Sequence, residues 1–459
     1  METVIQETLR KASADFVEIR IEDTRRTEIT FLGKDLRKAQ EIRDFGGYIR
    51  AMINGSWGFV SFNRPDRLPE YLEAAETRAR AAGHGSSKLA AVPVVRDRID
   101  AHIDPHYDPR NVPLDEKIET LGGFSKKLLS GGSSIISSSV SYREDNRKVI
   151  IATSEGTYIE SDGLWAAGGM SAIGREGNVM QSVHSGFGTR RSWKDICDAE
   201  TDIEKVCRET EELVRAEPAV GGRFTVILDP RLSGVFIHEA FGHLSEADNV
   251  SDNPKLLKQM QIGTRFAQDH FSVIDGGDLP DERGSYRYDD EGVPCSMTHL
   301  IKDGLLVGRL HSRETAAAMN EPVTGNARTV GFRFSPICRM SNTFIAPGPH
   351  SFEEMLEGVE NGLYVVGGGS GNTSKGLFTF SAEKAQVIQS GKLKGWVRDL
   401  VLSGNVFQTL HDIDKVGSDL HRSRSGGCGK SVGARMQYPL SVSMGSPHIR
   451  IQNVLIGGR

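Results

Sequence analysis

The segment from Phe224 to Asp248, FTVILDPRLSGVFIHEAFGHLSEAD, restricts the fold more than any other stretch of the chain. An apolar run ends at Asp229, an acceptable helix N-cap, and Pro230 then takes the first helical position, where its missing N–H costs nothing. These signals predict a strand that turns directly into a helix. The helix carries Val235, Phe236, Ile237 and Phe241 around His238, Glu239 and His243, so three ionisable groups sit on an otherwise apolar element. Such an element belongs in a core, and its polar groups need partners there.

A zincin motif, HExxH, separates its histidines by four residues, or about 40° of rotation at ~100° per residue. Here the motif reads HEAFGH. Five residues turn through about 500°, which leaves the two rings about 140° apart on a regular α-helix. Both imidazoles can meet one metal ion only if the helix unwinds or widens to an i to i+5 pattern, and Gly242 lowers the cost of that distortion. In that case His238 and His243 are ligands, and Glu239 is the general base that activates water. The cluster also reads as a buried hydrogen-bond network that fixes the helix on a sheet. A third ligand could be Glu246, three residues beyond His243, or any of the five cysteines. Cys428, in RSRSGGCGKSVG, is flanked by glycines that allow close backbone approach and by Lys430, which would favour thiolate. Taken alone, it reads more readily as an incidental surface thiol.

Composition narrows the class. The 459 residues allow roughly two to four domains of ~100–200 residues. Lys plus Arg number 56 against 61 Asp plus Glu, a net charge of −5, too balanced for the basic footprint of a nucleic-acid binder. No run approaches the ~18 apolar residues of a membrane span, and the N-terminus lacks the apolar core of a secretory signal, so a cytoplasmic protein is expected. Five cysteines, odd and sparse, argue against a disulfide framework, and 51 glycines point to many turns and much β-structure.

Along the chain, an opening helix precedes a two-residue alternation over Phe16 to Glu22, and Asn54-Gly55 marks a hairpin between Tyr48–Ile53 and Trp57–Phe62. Helical spacing covers Arg67 to Ala82, with Gly83 as a cap, and later Asp202 to Ala216. Strand-like segments lie at Ser134–Tyr142 and Val149–Ile159. His84 to Pro113 reads as a connector in which Pro105 separates His102 from His106, favouring a solvated loop over a metal site. Pro218 and Gly221-Gly222 mark the main boundary. We therefore expect an N-terminal α+β subdomain (1–100), a central α+β segment (101–218) and a C-terminal domain (219–459). Asp303-Gly304 and Ser390-Gly391 between apolar segments, and a last alternating strand from Ile449, make that domain mostly antiparallel β and barrel-like, with the metal-site helix within it. Gly367 to Gly371 is expected to be a glycine-rich loop that could cradle an anion but, lacking the G-x-G-x-x-G spacing, reads better as a tight turn or close packing next to a ligand. The P-loop-like Gly429-Lys430-Ser431 fails, because Arg424 stands where a glycine is required.

HEAFGHLSEAD, RGSYRYDDEGVP (283–294), PVTGNAR (322–328), the glycine-rich segment 367–376 and CGKSVG (428–433) together resemble, in this order, the TldD/PmbA (TldE) family of zinc metallopeptidases. The intact metal motif makes the chain similar to the TldD-type catalytic subunit; the N-terminal half fits in layout only. The resemblance implies zinc held by His238, His243 and Cys428, with Glu239 as the catalytic base. It implies hydrolysis of small or unfolded peptides inside a homodimer or a heterodimer with a PmbA/TldE-like subunit. The other reading is a non-catalytic peptide-binding or partner-modulating subunit, against which the intact motif speaks.

Overall fold

The alternation that begins at Phe16 extends into a strand over Phe16–Leu32, which pairs antiparallel along its whole length with Asp35–Ile53. The computed structural model describes residues 1–279, 281–374 and 376–458. Asn54 and Gly55 both adopt positive φ, at 50° and 72°, and turn the chain into Ser56–Phe62, the hairpin read from the dipeptide. The first strand runs well past Glu22 although its later residues, Asp23 to Thr27, are polar, because ion pairs such as Arg26–Asp145 (2.6 Å) replace apolar packing there.

Seven strands form one sheet that runs through both N-terminal regions. Its order is Ser56–Phe62, Asp35–Ile53, Phe16–Leu32, Ile135–Thr153, Tyr158–Glu176 and Arg96–Ile99, with Val179–Thr189 also on Tyr158–Glu176. Helices Glu2–Arg10 and Leu68–Ala81 bury Ile5, Leu68 and Leu72 against Ile19 and Ile49. Helices Leu114–Ser130 and Ile203–Arg215 bury Leu121, Phe124 and Val206 further along the sheet. Val149–Ile159 is not one strand. It spans the end of Ile135–Thr153, a turn in which Gly156 takes φ +108°, and the start of Tyr158–Glu176. The connector holds only the short strand Arg96–Ile99 and a turn at Pro109–Asn111, and His102 and His106 are both exposed.

In the C-terminal half, Gly222–Leu228, Asn361–Ser374, Leu377–Gln389, Val401–Asn405 and Ile449–Gly457 pair in a closed ring. Only the pair Gly222–Leu228 with Asn361–Ser374 is parallel, so the barrel is mostly antiparallel as expected. Asp303-Gly304 and Ser390-Gly391 turn with positive φ between paired strands. The segment expected as a glycine-rich loop is instead part of strand Asn361–Ser374, with an irregular register between Gly368 and Gly371. Gly367 takes φ +76°, and a Cβ there would lie 2.4 Å from Glu383 Oε2, so the glycine serves close packing within a ladder. Against the barrel lies a six-stranded sheet containing Asn342–Ile345 and Ser443–Ser446. The helix predicted after Asp229 fills the space between them, burying Leu232, Phe236 and Ile237 with Leu228, Phe378 and Phe380. No described helix is long and apolar enough to cross a membrane.

The acidic run Asp289-Asp290-Glu291 joins this half to the N-terminal sheet. Asp289 accepts the N–H groups of Glu291, Val293 and Ala327 (each 2.9 Å) and so shapes its own loop. Asp290 binds Arg20, and Glu291 binds Arg50 at 2.8 Å while also accepting the Arg313 N–H. Arg50 is shared with Glu18 (2.7 Å), and all of these pairs except Asp290 are buried. Removing one partner of a buried pair leaves an uncompensated charge. Glu291→Ala should therefore destabilise the protein by about 3 kcal/mol, the low end for such a loss because Glu18 still faces Arg50. Asp35→Ala, in the exposed pair with Arg37, should cost less than about 1 kcal/mol. Equal shifts of the urea midpoint in the two variants would contradict the clamp.

Candidate metal centre

Asp229 caps the helix as the sequence predicts: its side chain accepts the Leu232 N–H at 2.9 Å, and Pro230 opens Pro230–Ile237. The α-helix then widens. His238–Gly242 is a π-helical turn in which the His243 N–H donates to the His238 carbonyl, the i to i+5 bond that the spacing requires. A 3-10 turn over His243–Ser245 ends the element. The two imidazole centroids stand 5.2 Å apart as a result. Gly242 is needed for more than backbone freedom, since a Cβ there would lie 2.1 Å from Met340 Sδ.

Cys428 arrives from the other end of the chain, on the hairpin Gly427–Val432 with Arg435–Ser441. Its Sγ lies 3.4 Å from His243 Nε2, and one donor atom from each of His238, His243 and Cys428 falls within 4.8 Å of the others. Among the described residues this is the one group of at least three His, Cys, Asp or Glu side chains arranged to hold a metal ion. His238 is fully buried, yet neither of its ring nitrogens has a hydrogen-bond partner. A buried network, the structural alternative, would pair them, whereas a metal bond to one nitrogen removes the cost of leaving it bare. Two imidazoles and a thiolate suit zinc, and they leave a fourth position open. Glu239 sits on the same turn with its side chain 28% exposed and its Oε2 4.0 Å from His243 Nε2.

Glu246 does not join the donor set. Its Oε2 contacts His243 Nδ1 at 3.0 Å, the ring nitrogen turned away from Cys428, and so fixes the imidazole with Nε2 facing the thiol. Lys430 does not act on the thiol as the sequence suggested. Its Nζ reaches Asp248 (2.6 Å), Glu246 (3.1 Å) and the Cys338 carbonyl (2.9 Å). Burial works to raise the Glu246 carboxyl, but Lys430 and His243 bring it down to about 2. Burial likewise works to raise the Cys428 thiol, and the neighbouring His238 and His243 overcome it and hold the thiol well below its usual range. For His243, burial is outweighed by Glu246 and Cys428, which lift the imidazole well above its usual value. Arg339, absent from the sequence reading, is fully buried and donates to the Cys428 carbonyl at 2.9 Å, fixing the backbone beside the thiol. A carboxylate three residues after a ligand histidine was the available signal for Glu246; Arg339 left none, because its partner lies on a distant hairpin.

The chain matches three successive domains of one family: PmbA/TldA metallopeptidase domain 1 over residues 17–82, the central domain over 107–216 and the C-terminal domain over 221–458. It is 38% identical to a metalloprotease of Synechocystis over 98% of this chain and 96% of that protein. It is 30% identical to a zinc metalloprotease TldD homolog of Saccharolobus solfataricus, over 97% of each chain. The crystal structure of TldE from Thermococcus kodakarensis has the same fold, with a TM-score of 0.78 at 20% identity over 100% of both chains. With family domains matched along nearly its whole length, and with HEAFGH and Cys428 brought to one point, the chain belongs to the PmbA/TldA metallopeptidase family.

Proposed function

We propose that this chain is a catalytic, TldD-type subunit that hydrolyses peptide bonds of small or unfolded peptides with zinc as cofactor. The observation that carries the reading is the convergence of His238, His243 and Cys428 around His238 nitrogens that are buried and unpaired. These three residues would hold the metal, which when bound supplies a Lewis acid for the scissile carbonyl and lowers the pKa of water. Glu239, on the π-turn and partly open to solvent, accepts the proton from the attacking water and returns it to the departing amine. Glu246 positions His243 and is itself held by Lys430. Among the described residues the two strands of the hairpin that bears Cys428 pair with each other alone, so its outer edge offers main-chain groups to an extended peptide, a mode of binding that tolerates many side chains. Five free cysteines fit a reducing compartment, which supports the cytoplasm, and assembly with a second copy or with a TldE-like chain belongs to the same reading.

Glu239→Gln should lower cleavage of an unfolded test protein by about 10²–10⁴-fold, the usual contribution of a general base, with zinc content per chain unchanged. Cys428→Ala should lose the zinc itself on elemental analysis of protein prepared without added metal. Full activity in the first variant would sink the base assignment, and stoichiometric zinc in the second would remove Cys428 from the site. If neither cleavage nor zinc is found in the wild type, the non-catalytic peptide-binding reading takes over.

Glu246→Gln keeps the shape but not the charge beside His243, and zinc affinity should fall about 10–100-fold in a chelator competition. Affinity should also rise with pH. Ligation needs neutral imidazole and thiolate; the lifted His243 keeps its proton to higher pH than an ordinary histidine, while the lowered Cys428 gives its proton up early. Protons therefore compete mainly at His243, and an affinity flat between about pH 5 and 8 would contradict imidazole ligation.

A further inference from the structure

A cavity of about 490 Å³ opens between the N-terminal sheet and the C-terminal domain, within the ~300–1,000 Å³ typical of ligand sites. One wall comes from strand Ile135–Thr153; the others include the 283–290 loop and the hairpin that bears Cys428. His238, Glu239, His243 and Cys428 do not line it. Arg20, Arg143, Arg147, Arg283 and Arg328 do, together with three carboxylates, Asp145, Asp289 and Asp290.

Those carboxylates are already used. Asp145 binds Arg26 and Arg143, and Asp290 binds Arg20. Asp289 accepts three backbone N–H groups, so both of its oxygens are occupied within its own loop. Arg283 and Arg328 are left with neutral oxygens. Arg283 donates to the Gly426 carbonyl (2.7 Å) and Ser441 Oγ (3.4 Å), and its buried Nε has no partner. Arg328 donates to the carbonyls of Met340 (2.6 Å) and Ser441 (2.9 Å). Arg190 stacks on the wall residue Trp165 at 5.0 Å, donates to the Glu282 and Ser285 carbonyls, and also has a buried Nε without a partner among the described residues. Among the described residues, none of the three forms an ion pair. Burial and adjacent positive charge push Arg190 and Arg283 down to about 10. Several buried guanidinium groups without a direct ion-pair partner are costly, and an anion in the cavity would relieve that cost.

We infer that this cavity is a carboxylate-binding subsite, in which Arg283 and Arg328, with Arg147 on the same wall and held by Glu22 at 3.4 Å, receive the C-terminal carboxylate or an acidic side chain of a peptide. The ligand class rests on the peptidase reading. The hairpin that holds Cys428 toward His243 also presents Gly426, Gly427 and Ser441 to the cavity, so one peptide lying along it reaches both places. Arginine suits the task because its fork of donors matches a carboxylate.

The test is calorimetric binding to the full-length Glu239→Gln protein, which spares the ligands from cleavage. Three alanine pentapeptides serve as probes: one blocked at both ends, one with a free C-terminal carboxylate, and one blocked but carrying a central aspartate. At least one acidic peptide should bind about tenfold or more tightly than the neutral one, as a charge-assisted pair provides. Preference for the free terminus alone identifies a terminal carboxylate as the ligand, and preference for the aspartate peptide alone identifies a side chain. Arg283→Gln and Arg147→Gln should each reduce that preference severalfold. Arg147→Gln carries the test if loss of the Gly426 contact prevents Arg283→Gln from folding. Equal or undetectable binding of all three peptides, or a preference unchanged in the folded variants, overturns the subsite. Cleavage by the wild type without any acidic preference overturns the subsite alone. Acidic preference in a protein that cleaves nothing overturns the peptidase reading and leaves the subsite standing.

Discussion

The i to i+5 hydrogen bond from the His243 N–H to the His238 carbonyl turns the second imidazole toward the first, and the rest of the metal centre is arranged around that widened turn. A π-turn is rarely stable for its own sake. Here its surroundings hold it in place. Met340 presses on Gly242 so closely that no side chain fits, the apolar face of Phe236, Ile237 and Phe241 is locked in the core between barrel and sheet, and the Asp229 cap fixes where the helix begins.

From that turn an electrostatic chain leads outward. Cys428 meets His243 at one ring nitrogen, Glu246 meets it at the other, and Lys430 binds both Glu246 and Asp248. Cys428 and Lys430 share one short hairpin, so the ion pair that steadies Glu246 also draws the hairpin to the helix, while Arg339 holds the Cys428 carbonyl from behind. Low local dielectric makes each of these contacts strong and each orphan costly, and His238 leaves both of its ring nitrogens without a hydrogen-bond partner.

The same logic of buried charge organises the junction between the halves. The Asp289-Asp290-Glu291 run uses one carboxylate to shape its loop and two to grip Arg20 and Arg50 on the N-terminal sheet. These contacts lie beside the arginine-lined cavity, where the balance runs the other way and positive charge is in excess. The acidic run therefore ties the halves together without neutralising the cavity between them.

Much was legible along the chain because it depends on near neighbours. The Asp229-Pro230 helix start, the Asn54-Gly55, Asp303-Gly304 and Ser390-Gly391 turns, and the need for a widened turn between His238 and His243 all follow from backbone preferences over a few residues. Where local pattern misled, longer-range pairing was the cause: Gly367 to Gly371 reads as a loop but is drawn into a ladder beside Leu377–Gln389, and apolar Val149–Ile159 hides a turn. The sequence by itself determined which residue types stand on the core helix and how far they must be rotated to converge. Only the tertiary structure decided that Glu246 orients His243, that Lys430 serves Glu246 and Asp248 and not the thiol, and that Arg339 braces Cys428. The physical reason is separation: Cys428 lies 185 positions from His243 and Lys430 182 from Asp248, and contacts closed over such distances depend on the packing of barrel and sheet, which no local spacing encodes.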